Sequence, residues 1–221
     1  MEIKNIQKLG GICSIFEALI YIIAFTIYGG VLKYPDENAS AKEELFFLSE
    51  NYLTLSILNF TSYILFGILL TILVLAIHNR IKKNLPNLSK LAFIFGVIWV
   101  GLVIACGMIT NIGLNSVLEI GITSPENAMQ TWSSVAVISE GLGGGNEIVG
   151  GIWVLLISLI SLNNKSFSRA LVLLGILVGI AGILTIYPLD IFTEIFGVSQ
   201  IIWFLWIGIA MIRKSKITKE N

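Results

Sequence analysis

Three carboxylates sit inside long apolar runs of the chain: Glu17, Glu140 and Glu147. An ionisable group in such a run is costly to bury and faces a bundle interior or a cavity rather than lipid. No Lys, Arg or His lies in the middle of any apolar run to pair with them. Each carboxyl group must therefore be protonated, hydrogen-bonded to neutral groups, wet, or bound to a cation. Glu140 and Glu147 are seven residues apart, which on a continuous helix places them on one face, about 10.5 Å apart along the axis. The stretch between them contains Gly143, Gly144 and Gly145, followed by Asn146. Each glycine weakens a helix by about 1 kcal/mol relative to Ala, and three in succession predict a break. A break leaves backbone N–H groups aimed at a cavity, as in the interrupted helices of transporters. The competing expectation is close helix contact through the small-residue pair Gly141 and Gly145.

Counting along helices of about 1.5 Å rise per residue brings further polar side chains near the depth of Glu147. Asn59 and Tyr187 fall close to it, with Thr185 beside Tyr187, while Asn111 and Gln200 fall nearer one membrane face. With Glu147, Asn146 and Glu140 these make the expected ligand-binding set. Glu17 belongs to a different, deeper layer and is expected to be a buried acid. Two cysteines, Cys13 and Cys106, lie far apart in apolar runs and form no disulfide framework. With one histidine, His78, the chain has no multi-histidine metal cluster. No motif marks a catalytic residue, a metal site or a cofactor.

The elements that must position these residues follow from composition. Of 221 residues, 56% are hydrophobic and 13% charged, with a mean hydropathy of +0.88. Soluble domains carry about 25% charged residues, so lipid is the expected solvent for most of the surface. A membrane helix needs about 20 mostly apolar residues. Six segments qualify: residues 10–32, 53–77, 91–114, 135–162, 170–187 and 195–212. Backbone groups in lipid must pair internally, so these are helices. The expected fold is an all-α, polytopic six-helix bundle in one membrane domain.

Orientation follows from the basic residues. With the N-terminus inside, the inner segments hold Lys4, Lys8, Arg80, Lys82, Lys83, Lys90, Lys165, Arg169, Arg213, Lys214, Lys216 and Lys219, which is 12 of the 14 Lys and Arg. The outer segments hold only Lys33 and Lys42, against nine carboxylates. Both termini are therefore expected in the cytoplasm, below an acidic outer face. Short outer helices are expected where Ser40 and Glu43 form a capping box and where Ser124 precedes Pro125 at a first helical position. Unbroken from Pro125 to Leu162, the fourth span would reach about 57 Å, longer than a bilayer core, so it must protrude or break.

The run from Glu140 to Ser158, with Gly-Gly-Gly-Asn-Glu at its centre, and the segment Ser199-Gln-Ile-Ile-Trp-Phe-Leu-Trp-Ile-Gly208 resemble a family of small bacterial multi-span proteins, domain of unknown function 4386. The resemblance implies a prokaryotic cytoplasmic membrane and brings no activity or catalytic residue with it. Three functional readings stay open. The first is a binding or transport protein for a small molecule or cation, with an outward-facing pocket around Glu147. The second is a sensory, regulatory or accessory membrane subunit, in which the glycines pack helices and the glutamates link them. The third is a membrane-embedded enzyme with Glu147 as general acid or base. The lipid bilayer is the expected partner, nucleic acid is not, and an oligomer is compatible with all three.

Overall fold

A computed structural model describes residues 3–217 apart from Asn84, Gly145, Asn146 and Pro188. The described residues are helical, with no strand among them. The elements are α1 (Ile3–Thr26), α2 (Ala41–Glu50), α3 (Tyr52–Asn59), α4 (Phe66–Ile81), α5 (Pro86–Gly121), α6 (Pro125–Ser139), α7 (Ile148–Asn164), α8 (Arg169–Leu184) and α9 (Asp190–Ile217). Three π-helical turns interrupt or extend them: Ile27–Val31 after α1, Phe60–Leu65 between α3 and α4, and Glu140–Gly144 after α6.

Five helical rods are long and apolar enough to cross a membrane: Asn5–Val31, Tyr52–Ile81, Pro86–Gly121, Pro125–Asn163 and Ile191–Arg213. The sixth apolar helix, α8, has only 16 residues, or about 24 Å of rise, and stops at Leu184 where residues up to 187 were expected. Large apolar side chains such as Phe16, Ile23, Leu53, Ile112 and Leu173 are more than half exposed. Apolar surface of this extent marks contact with lipid rather than water, so the chain is a multi-pass membrane protein.

The six rods pack in chain order. The first, α1, lies against α4, which lies against α5, then α7, α8 and α9, and α9 returns to α1. The result is a closed ring of neighbours. Its interior is filled by a cycle of six aromatic side chains, one each from α1, α4, α5 and α7 and two from α9. Centroid separations run Tyr21 to Phe66 5.4 Å, Phe66 to Trp99 6.0 Å, Trp99 to Trp153 5.6 Å, Trp153 to Trp203 5.7 Å, Trp203 to Phe204 5.5 Å and Phe204 to Tyr21 6.2 Å. Edge-to-face pairs at these distances add about 0.5–1.5 kcal/mol each beyond area burial. In lipid, where no hydrophobic force drives helix against helix, such contacts help to hold the bundle together.

Close approach makes the layer possible. A Cβ at Gly150 would lie 2.6 Å from the Trp99 indole, and Cβ atoms at Gly96 and Gly175 would lie 2.7 and 2.9 Å from the Nε1 atoms of Trp153 and Trp203. Each indole is thus seated on a bare glycine backbone of a neighbouring rod. Two small residues of α8, Gly179 and Gly182, meet α7 backbone at Gly151, a close helix contact of the kind small residues allow in membranes.

At the acidic end, both predicted helix starts form. Ser40 accepts from the Glu43 N–H, and the Glu43 carboxylate accepts from the Ser40 N–H at 2.7 Å and hydroxyl at 2.8 Å. Ser124 Oγ accepts from the Asn127 N–H. The helix from Ala41 does not run unbroken into the second span. Asn51 leaves helical geometry (φ −101°, ψ 11°), and its backbone N–H and side-chain amide both donate to the Phe47 carbonyl, at 3.1 and 2.9 Å. This offset lets α2 lie against α5 and α6 as a separate outer helix. At the basic end, the Arg80 guanidinium lies 4.5 Å over the Phe167 ring and donates to the Ser166 carbonyl, tying α4 to the loop between α7 and α8.

Two expectations follow. Gly150→Ala should destabilise the protein by about 1–3 kcal/mol through overpacking against Trp99, read as a lower thermal midpoint in detergent, whereas Gly141→Ala, which meets open space, should not. The backbone and then the hydroxyl of Ser40 hold the Glu43 carboxyl below the usual carboxylate range. The cap is therefore at full strength above the ordinary carboxylate pKa and weakens as pH falls through the lowered folded value. Hydrogen exchange of the first turn of α2, corrected for intrinsic rate, should quicken in acid, and Glu43→Gln should abolish that pH dependence.

Candidate functional site

The fourth rod breaks where the glycines predict. Helix α6 ends at Ser139, a π turn carries the chain to Gly144, and α7 starts at Ile148. Gly143 adopts φ 122°, ψ 19°, a left-handed conformation that a side chain strongly disfavours. The packing alternative fails at Gly141, around which a Cβ would meet nothing within 4 Å; its partner Gly145 and the adjacent Asn146 lie outside the described residues. The break also separates the two glutamates. Glu140 and Glu147 do not share a face: Glu140 lines an outer cavity and Glu147 an inner one.

Glu147 caps the start of α7 with non-helical backbone (φ −108°, ψ 25°). Its N–H donates to Thr185 Oγ1 at 2.8 Å, and the Thr185 hydroxyl donates in turn to the Gly182 carbonyl at 2.7 Å. The sequence reading placed Glu147 and Thr185 at one depth, and the fold joins them. Trp99 Nε1 donates to Glu147 Oε2 at 3.0 Å. This indole does more than pack, because it positions the carboxylate, which is only 9% exposed.

Two cavities lie on the acidic side of the aromatic layer. The outer vestibule, about 700 Å³, is bounded by the first loop, α2, α6 and the outer parts of α3 and α5. The inner chamber, about 220 Å³, is floored by Tyr21 and Phe66 and walled by Glu147, Gly143 and, from α9, Thr193, Phe196 and Gly197. Only Tyr28 and Tyr63 line both among the described residues, so the two spaces adjoin at this pair. Tyr28 Oη donates to Asn59 Oδ1 at 3.0 Å, Asn59 Nδ2 to Asn111 Oδ1 at 3.3 Å, and Asn111 Nδ2 to the Ser56 carbonyl at 3.3 Å. A chain of side-chain amides thus holds the constriction. All three π turns line these cavities: the first contributes Tyr28, the second Ser62 and Tyr63, the third Glu140 and Gly143. Such turns widen a helix locally and recur at functional sites.

The expected binding residues separate into groups. Glu140 and Asn59 line the vestibule, Asn111 braces Asn59 from behind, and Glu147 lines the chamber. Tyr187 is not drawn in: it is 58% exposed beyond the end of α8, against Phe192, because α8 stops at Leu184 and turns. Gln200 is fully buried on α9 but lines neither cavity, and its amide atoms have no partner among the described residues. Glu17 is likewise fully buried, with neither carboxyl oxygen partnered among the described residues, and lines neither cavity. Sequence reasoning missed Tyr28, Tyr63 and Trp132. Their spacing resembles ordinary core or interfacial aromatics, and only the convergence of separate rods reveals them. Among the described residues, no three His, Cys, Asp or Glu side chains gather as a metal ion requires.

Removing the acceptor at the break should cost more than removing the unpartnered acid. Thr185→Val leaves the buried Glu147 N–H without its partner, at about 1–3 kcal/mol, and Thr185→Ser should restore most of that loss. Glu17→Met, which substitutes an apolar chain of similar shape, should leave stability unchanged or raise it. Thermal unfolding in detergent compares the three. Comparison with models of known families, with curated proteins and with solved structures finds no match, so the chemistry of the site rests on its geometry.

Proposed function

We propose that this protein binds or transports a small molecule or cation through the vestibule and chamber that lead to Glu147. In this reading all six rods cross the membrane, α8 included, with both termini cytoplasmic and the vestibule open to the outside. The observation that carries it is a nearly buried carboxylate, held by an indole and a broken helix, at the end of a cavity on the acidic face. A bundle needing only stability would fill this space, since buried ionisable groups in membranes are expensive and mark ligand or ion pathways. The skew of basic residues to the other face supports the orientation. The resemblance to domain of unknown function 4386, and the prokaryotic cytoplasmic membrane it implies, form part of the same proposal.

A second reading, a sensory or accessory subunit, is favoured by one observation. The aromatic cycle lies between the chamber and the basic face, with Trp99, Trp153, Trp203 and Phe204 each no more than 1% exposed. A ligand that only binds would stop at this floor, whereas a transported one would need it to part.

Thiol labelling tests the proposal. In intact cells, Ala24→Cys, in the chamber wall, should react with a small membrane-impermeant methanethiosulfonate added outside, while the native Cys13 and Cys106, at most 3% exposed, stay unlabelled. The cationic trimethylammonium reagent should react about tenfold faster than the anionic sulfonate one, as expected from a single-sign cleft, and Glu147→Gln should reduce that preference. An unreactive Ala24→Cys, or one reached only from the cytoplasmic side, would defeat the reading.

A further inference from the structure

Resting on the reading above, we infer that the ligand is a lipophilic organic cation, a positive centre carried on apolar or aromatic bulk, seated in the vestibule with its charge toward Glu140.

The sign comes first. No Lys, Arg or His lines either cavity among the described residues. The vestibule is edged by Asp36, Glu37 and Glu44 and walled by Glu140, and the chamber beyond it ends on Glu147. Carboxylates on low-dielectric walls focus a negative potential that concentrates cations and repels anions.

The walls decide what kind of cation. Tyr28, Tyr34, Phe47, Tyr63 and Trp132 all line the vestibule, and the Tyr34 and Phe47 rings lie 5.0 Å apart. Ring faces attract a cation, most strongly one that sheds water readily. A bare metal ion is a poor match. A hard divalent cation takes about six to eight oxygens as ligands, and among the described residues no three carboxylates gather to supply them.

The neutral polar groups argue against a polyol. Asn59 is engaged by Tyr28 and Asn111, and Thr110 by the Cys106 carbonyl and the Ser139 hydroxyl. A sugar needs many uncommitted donors and acceptors, and these are already committed to one another. Volume agrees as well. About 700 Å³ lies within the range of sites for drug-sized ligands, roughly 300–1,000 Å³, whereas the 220 Å³ chamber has room only for a substituent.

The full-length protein in nanodiscs of zwitterionic lipid tests this by equilibrium dialysis with three probes of similar shape: tetraphenylphosphonium, neutral triphenylphosphine oxide and anionic tetraphenylborate. The phosphonium should bind saturably and at least about tenfold more tightly than the oxide, and the borate no more than to empty nanodiscs. Trp132→Ala should weaken phosphonium binding about tenfold, Trp132→Phe should retain it, and Glu140→Gln, an exposed substitution, should weaken it while leaving oxide binding unchanged. Equal binding of phosphonium and oxide, indifferent to Glu140→Gln, would overturn the cationic class and leave a cavity for small molecules. Binding of neither, with Ala24→Cys still labelled from outside, would also overturn it while the proposed function stands. Failure of that labelling defeats the proposed function itself, so the two outcomes are read separately.

Discussion

A helix that stops inside a membrane bundle releases N–H and carbonyl groups where water is scarce, and each needs a partner. At the interruption between Gly143 and Ile148, Thr185 meets this demand for the Glu147 N–H. Thr185 Oγ1 accepts the Glu147 N–H and passes its own proton toward the Gly182 carbonyl. Much of the rest depends on that bridge. It fixes the direction in which α7 starts, which sets the Glu147 carboxylate beside the Trp99 indole. It also locks α7 to α8, whose glycines admit the α7 backbone at close range. The rod is then free to end one helix and begin another without lining up Glu140 and Glu147, and the space between them becomes cavity.

The aromatic cycle and the break serve each other. Gly150 lies three residues beyond Glu147, and its missing side chain is what lets Trp99 lie close enough to α7 to donate to the carboxylate. The same indole is a member of the packed layer. One side chain thus joins the packed part of the bundle to the polar part. A shift in the layer would therefore be felt at Glu147, and a change at Glu147 in the layer.

Much of this was legible in the sequence because lipid imposes strict rules. Apolar run lengths located the rods, the capping box at Ser40 and the Ser124-Pro125 pair located the outer helix starts, and the glycine run located the break. Rise per residue alone placed Thr185 level with Glu147. The same counting misplaced Tyr187, because it assumed that α8 continues to that residue. It also gave no account of which rods adjoin, so it could not see that Asn59 and Asn111 form a brace around Tyr28 while Gln200 stays buried away from the cavities. Convergence of Tyr28, Tyr63 and Trp132 is a property of three rods together. No local pattern encodes it, since an aromatic on a membrane helix satisfies packing, interface and ligand contact equally well.

The ring order has a bearing on how the cavity comes into being. Five of the six contacts in the ring join rods that follow one another in the chain, so most are local and cheap in loop-closure entropy. The exception is the seam between α1 and α9, the widest separation in sequence. That seam is also where the chamber acquires Thr193, Phe196 and Gly197 opposite Tyr21, Ala24 and Phe25. As rods are delivered to the membrane in order, Glu147 arrives with one wall of its surroundings missing. The seam then acts as a clasp, and the enclosed chamber exists only once the last rod has met the first.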